Sequence, residues 1–323
     1  MINITDNDPN IKKTFKKKGK KYSKKTTKKY KTASKFNKSY KKLKAVIVDL
    51  INSAFNINSS KKNKRGRPIK FDVNKKVIII LLVLYKGFTW ESASYCAGCD
   101  ESTIRKFYNK IIDLGIIDSA LDIFQKMYNK KRRFSNLHID STSILNKNNS
   151  LIAEYYHKMK SKKQIKISSI VDENKIPLSF VVSRGAEADV NVVPALINNL
   201  NVDALRKNVF ICGDKGYITK NSQYIFNGQT RKWRKVTNPS VKKLNKENGI
   251  KVTLITPKRK NQKTENTVFE KKKLSKRHLV ENSFCRQKRS FKRIEPLYDR
   301  KIEVIKAFYK LAICHTICDI VLA

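Results

Sequence analysis

The sequence predicts an α/β protein: a mixed sheet with flanking helices, preceded by an all-α head and a disordered basic arm at the N-terminus. Residues 12–44 hold 17 lysines and no acid. Between Asp72 and Lys130 the apolar residues recur with a helical period. From Asn136 onward the pattern changes to short strand-like runs, a hairpin first and then strands alternating with helices. The expected division is an arm over 1–64, a helical head over 65–133 and a sheet domain over 134–323.

In the arm, Phe15, Tyr22, Tyr30, Phe36 and Tyr40 stand between the lysines. The stretch buries too little apolar area to offset its ordering entropy, so it reads as disordered. It fits a solvated tail or a nonspecific DNA arm with aromatics available for stacking. Ala45–Asn56 is expected as an isolated helix. The basic cluster over 61–70 contains Arg65-Gly66-Arg67-Pro68, and Arg65 and Arg67 suit a narrow minor groove.

The whole chain carries 72 Lys+Arg against 26 Asp+Glu, a formal net charge of +46. Such charge opposes compaction unless a polyanion shares the space, and nucleic acid is the natural candidate. A membrane is not: the longest apolar run, Val77 to Tyr85, has nine residues, and a spanning helix needs about 20. The N-terminus lacks a secretory pattern, and the six cysteines read as free thiols in an intracellular protein.

In the head, Asp72 is placed to cap a helix that runs to Tyr85 and stops at Gly87. Trp90 to Ala97 forms a second helix, ended by Gly98. Asp100 or Glu101 caps a third, Ser102 to Leu114, with Ile104, Phe107, Tyr108, Ile111 and Ile112 on its apolar side and Gly115 closing it. A short helix, a glycine turn and a helix opening with Ser102, Thr103, Arg105 and Lys106 match the helix-turn-helix layout, in which those polar residues face bases and phosphates. The same pattern fits a plain three-helix bundle; the basic flanks favour DNA.

Strands are expected at 136–141, 165–171, 176–183, 208–213 and 252–256, with Asp172-Glu173-Asn174 turning between two of them. Helices are expected at 189–200, 218–226, 269–290 and 301–322.

Two aspartates sit at strand ends: Asp140 in Leu137-His138-Ile139-Asp140-Ser141-Thr142, and Asp214 in Gly213-Asp214-Lys215-Gly216-Tyr217 after an apolar run. Working residues gather at the carboxyl ends of strands in open α/β sheets, and the two glycines permit close approach. Farther on, Leu274, Arg277, Glu281, Phe284, Lys288 and Phe291 recur at spacings of three and four, one helical stripe. Glu281 then either faces the sheet, where a carboxylate needs a partner or a metal, or lies on a surface stripe paired with Arg277. The basic segment Arg231–Lys235 is expected as a loop, with Trp233 either packed or stacking on a displaced base.

Asp140, the Gly-Asp-Lys-Gly-Tyr block and the Arg277…Glu281…Lys288 signature, in that order, resemble the DDE transposases of bacterial insertion sequences. The intervals are 74 positions from Asp140 to Asp214 and 67 from Asp214 to Glu281. Some relatives carry a tyrosine three residues before the arginine; here that position is Leu274. The resemblance covers about residues 65–323 and implies an RNase H-like core in which Asp140, Asp214 and Glu281 converge as catalytic and metal-binding carboxylates. It implies two Mg²⁺ (or Mn²⁺) ions, with Asp140 bridging both, and Arg277, Lys288 and Lys215 orienting DNA phosphates. The implied partners are double-stranded DNA, both transposon ends and target, and a second copy of the chain. A transposase-derived DNA-binding protein without catalysis is the alternative.

Overall fold

The computed structural model describes residues 24–57, 72–130, 132–148, 152–155, 163–217, 222–227, 231–237, 249–258 and 265–322. Arg65 and Arg67 lie outside them.

Part of the arm expected as disordered over 1–64 is helical, and residues 1–23 and 58–64 lie outside the described residues. Lys24–Ile57 forms a 34-residue helix, α1. Leu43, Ile47 and Ile51 recur every four residues and are buried to 2% exposure or less, so the segment expected as an isolated helix is the packed end of a longer one. The lysine content concealed this, because three apolar positions on one face suffice when large partner surfaces complete the burial.

The head follows its capping signals. α2 (Val73–Lys86) starts at Asp72, whose side chain accepts from the Lys75 N–H at 2.7 Å, and ends at Gly87 with φ +69°. α3 (Trp90–Ala97) is capped by Thr89, and α4 (Glu101–Asp113) by Asp100, which accepts from the Thr103 N–H at 3.1 Å. α5 (Ile116–Asn129) follows Gly115. On α4, Ile104, Phe107, Tyr108 and Ile111 are buried, while Ser102, Thr103, Arg105 and Lys106 are exposed.

The sheet begins with β1 (Phe134–Leu145), longer than expected, so that Asp140 lies inside the strand. It continues with β2 (Glu154–Tyr155), β3 (Lys163–Val171), β4 (Pro177–Arg184), helix α6 (Asp189–Asn198) and β5 (Leu205–Cys212). The β3–β4 turn is held by Asp172, which accepts from the Asn174 and Ile176 N–H groups, both at 2.9 Å. Two expectations fail here. Part of the segment expected as a helix over 218–226 is strand β6 (Ser222–Asn227), and the segment expected as a basic loop is strand β7 (Lys232–Thr237). Tyr224, Ile225 and Phe226 are strand formers, and β6 finds partners on both sides, β7 and β8 (Ile250–Ile255). The eight-stranded mixed sheet has the order β2-β3-β1-β5-β8-β6-β7, with β4 also paired to β3.

The long helix expected over 269–290 is two: α7 (Val268–Leu274) and α8 (His278–Ser290). Between them, Arg277, Leu279 and Val280 donate to carbonyls three residues back instead of four, a tightened turn that re-aims Arg277. The last helix, α9 (Ile302–Val321), packs on α1, α4, α5 and β4. One hydrophobic cluster therefore runs through head and sheet, from Leu43 to Cys318. No helix among the described residues is long and apolar enough to cross a membrane.

Candidate active site

The parallel pairing of β1 with β5 stops at His138 opposite Cys212, while β1 continues along β3 to Leu145. That leaves a crevice beside the second half of β1. Asp140 lies two residues past the last β1–β5 pair on β1, and Asp214 two residues past it on the other chain segment.

The Gly-Asp-Lys-Gly-Tyr block is shaped by close approach. A Cβ on Gly213 would lie 2.6 Å from Ile139 Cγ2, and one on Gly216 would lie 3.0 Å from Asp189 Oδ2. Tyr217, fully buried, donates its hydroxyl to Ser141 Oγ at 3.2 Å. Ser141 Oγ in turn donates to Asp189 at 2.5 Å, and Lys166 contacts the same Asp189 oxygen at 3.2 Å. The Ser141 N–H donates to Asp140 Oδ1 at 2.8 Å. Asp140 thus sits on a strand whose next residue is tied to α6, β3 and the turn after β5. Asp189, Ser141, Lys166 and Tyr217 were not among the expected site residues. Asp189 reads in sequence only as a helix start, because its link to Ser141 depends on how α6 packs on the sheet.

Burial raises the Asp140 carboxyl above the usual aspartate range. The Ser141 N–H and the Arg277 charge oppose that shift, and Glu281 and Asp189 reinforce it. Arg277 donates to Asp214 Oδ1 at 3.0 Å through Nη1 and to Glu281 Oε1 at 3.3 Å through Nη2. Arg277 thus joins Asp214, in the turn after β5, to Glu281 on α8, and both Arg277 and Glu281 influence the Asp140 carboxyl on β1. On α8, Val280, Ser283, Phe284 and Gln287 make the buried face, and Glu281 stands at its exposed edge. Of the two readings of Glu281, the surface pair with Arg277 is the one realised, with the Glu281 side chain 56% exposed.

The remaining expected residues are distributed differently. Lys215 is exposed in the turn next to Asp214. Lys288 pairs with Glu295, beyond the end of α8, at 2.9 Å and donates to the Ser143 carbonyl of β1 at 3.4 Å. Trp233 belongs to β7, not to a loop, and is half-buried with its ring 5.2 Å from Phe226. Ser102, Thr103, Arg105 and Lys106 lie on α4, a separate element from the crevice. His138, two residues before Asp140, is buried with no hydrogen-bond partner at either ring nitrogen, and burial lowers its pKa to about 4.

Three carboxylates form the oxygen-only donor set that a hard divalent cation prefers. In this arrangement no group of three His, Cys, Asp or Glu side chains among the described residues stands ready to hold an ion. Arg277 lies between two of the acids and supplies the positive charge there.

A family model described as a transposase DDE domain matches residues 133–317, more than half of the chain. The chain belongs to this family of DDE transposases. Among solved structures, a piggyBac transposase synaptic complex with hairpin DNA is similar at 14% identity and a TM-score of 0.34. The match covers 69% of this chain and 49% of that one, so the present chain spans about half the length of that protein. No curated protein sequence matches the chain.

Proposed function

We propose that the chain is an active transposase that cleaves transposon ends and transfers the freed strand, with Asp140, Asp214 and Glu281 as its metal-binding catalytic carboxylates. The observation that carries this reading is the Arg277 bridge between Asp214 and Glu281, from the turn after β5 and from α8, with the charges of Arg277 and Glu281 felt at Asp140 on β1, all within the span matched by the family model. Asp140, Asp214 and Glu281 would hold a pair of Mg²⁺ or Mn²⁺ ions, which would supply activation of the attacking water or 3′-hydroxyl and stabilisation of the leaving oxygen. Asp140 is the fixed ligand, held by the Ser141 N–H. Asp214 and Glu281 are the adjustable ones, released as Arg277 moves from their carboxylates to a phosphate of the DNA, a bidentate partner it suits equally well. Lys215, exposed beside Asp214, adds a second phosphate contact. The sheet over 134–323 serves as an RNase H-like catalytic domain. The head over 65–133 works as a helix-turn-helix unit whose exposed α4 residues, Ser102, Thr103, Arg105 and Lys106, meet the DNA duplex. Two copies acting on paired ends complete the proposed assembly.

The test is metal-dependent cleavage of duplex DNA carrying the element's own terminal sequence. Asp140→Asn is expected to lower cleavage by about a thousandfold or more, the scale of losing one preorganised charge contact in the transition state, while end binding persists. Undiminished cleavage by Asp140→Asn would remove Asp140 from the mechanism. Binding without cleavage in the wild type, whatever the metal, would favour the DNA-binding alternative.

A further inference from the structure

Away from the crevice, a cleft of about 400 Å³ lies between α4 of the head and the segment that joins α8 to α9. Its rim carries three cations, Arg105 from α4 and Arg300 and Lys301 from the joining segment. Asp299, the acid in its lining, is neutralised, because both carboxylate oxygens receive the buried Arg293 guanidinium at 3.0 Å. The cleft is therefore electropositive. Arg105 contacts Glu101 through Nε at 2.6 Å and Arg300 donates through Nε to the Asn148 carbonyl at 3.1 Å. Each side chain is anchored at Nε, and the two terminal amino groups of each guanidinium remain for an anion.

A second observation points to a ligand. Tyr108 lines the cleft at 1% exposure, and its hydroxyl has no hydrogen-bond partner. An unsatisfied buried hydroxyl costs about 1–3 kcal/mol, and such a group in a native fold calls for an explanation. Burial keeps the phenol protonated well above its ordinary range, so it remains a donor. A floor donor beneath three rim cations is complementary to a phosphate, and the volume admits the adjoining sugar.

We propose that this cleft seats one backbone phosphate of duplex DNA with its sugar, with Tyr108 donating from the floor and Arg105, Arg300 and Lys301 closing over it. The inference rests on the reading of the chain as a DNA-acting protein. It adds that DNA is clamped jointly by the head and by the segment leading into α9, so the duplex is fixed relative to the crevice and not to α4 alone.

The experiment uses the full chain, a short fluorescent duplex and a salt series. Tyr108→Phe removes only the hydroxyl. It is expected to weaken duplex binding about tenfold, the lower end for a hydrogen bond to a charged group, with a melting temperature equal to or above that of the wild type. Arg300→Ala combined with Lys301→Ala is expected to flatten the plot of log affinity against log salt by about one unit. Lys207→Ala, exposed and outside the cleft, serves as the charge control, and an equal flattening there overturns the assignment. Duplex binding by Tyr108→Phe that matches the wild type overturns the proposal, and so does a lowered melting temperature, which would make the hydroxyl structural. Tyr108-dependent binding of a free 5′-mononucleotide, with duplex binding indifferent to Tyr108, assigns the cleft to a free nucleotide and overturns the DNA source. Loss of the clamp leaves the Asp140→Asn cleavage test untouched, so failure here is distinguishable from failure of the catalytic reading.

Discussion

Two arginines each make a pair of charge contacts, in opposite settings. Arg293 is 2% exposed and grips Asp299 with two parallel bonds at 3.0 Å, stacked near Trp90 and Phe308 and tied to the Phe88 carbonyl. Arg277 is 30% exposed and divides its contacts between two acids that are themselves more than half exposed. The chemistry of the pairs is the same and the surroundings differ. Behind aromatic rings, an ion pair cannot separate without leaving a naked charge in the interior, so Arg293 pins the head to the segment before α9. In an open crevice, water replaces either partner at little cost, so Arg277 can change partners. Burial, more than residue type, separates a fastener from a movable counter-charge.

The largest expected effect lies at the fastener. Asp299→Ala strands the Arg293 guanidinium in the core and should lower unfolding free energy by about 3–5 kcal/mol, read from denaturant midpoints. A loss below about 1 kcal/mol would mean that water reaches the pair and that the contrast with Arg277 is false.

The buried side also predicts a pH dependence. His315, 2% exposed, accepts or donates at Nδ1 with the Tyr85 hydroxyl at 2.8 Å, and burial lowers its pKa from 6.5 to about 4. The folded state then binds fewer protons than the unfolded one between those values. The contribution of His315 is complete above pH 6.5 and is lost as the pH falls towards 4, with a slope of up to about 1.4 kcal/mol per pH unit. His138 acts with the same sign. His315→Gln should flatten the stability profile across that window, measured against wild type, and an unchanged profile would show that His315 already titrates normally.

A smaller effect is expected where the crevice meets the sheet. Gly213→Ala places a methyl 2.6 Å from Ile139 Cγ2, an overpacking cost of about 1–3 kcal/mol. The relief available is a shift of the turn that carries Asp214, so cleavage should fall further than stability alone explains. Equal losses in both would remove the positional role of the glycine.

These contrasts also separate what was legible in the sequence from what was not. Local signals read correctly: Asp72 and Gly87 bracket α2, Asp172 makes its turn, and the glycines of the 213–217 block sit where backbone or side chains crowd. Features made by distant partners did not read. α1 packs against α9, remote in sequence, and its lysines masked the Leu43–Ile47–Ile51 face. β6 became a strand because β8 and β7 were there to pair with it. Asp140 is singled out as a candidate by its neighbours in sequence, whereas the Asp189–Ser141 link beside it exists only through the packing of α6.

The smallest effect on stability, and the sharpest test of the comparison, belongs to Arg277. Arg277→Ala removes contacts that are partly exposed, so unfolding free energy should change by no more than about 1 kcal/mol. Its removal leaves Asp214 and Glu281 without the cation that now joins them, and their repulsion favours any divalent ion that replaces it. Calorimetric Mg²⁺ or Mn²⁺ binding to the DNA-free protein should therefore tighten, while end cleavage weakens for want of a guanidinium on the phosphate. Arg277→Lys should fall between, since one ammonium cannot span two acids as the guanidinium does. Metal affinity that is unchanged, or that falls, in Arg277→Ala would show that the arginine does not compete with a metal for these carboxylates.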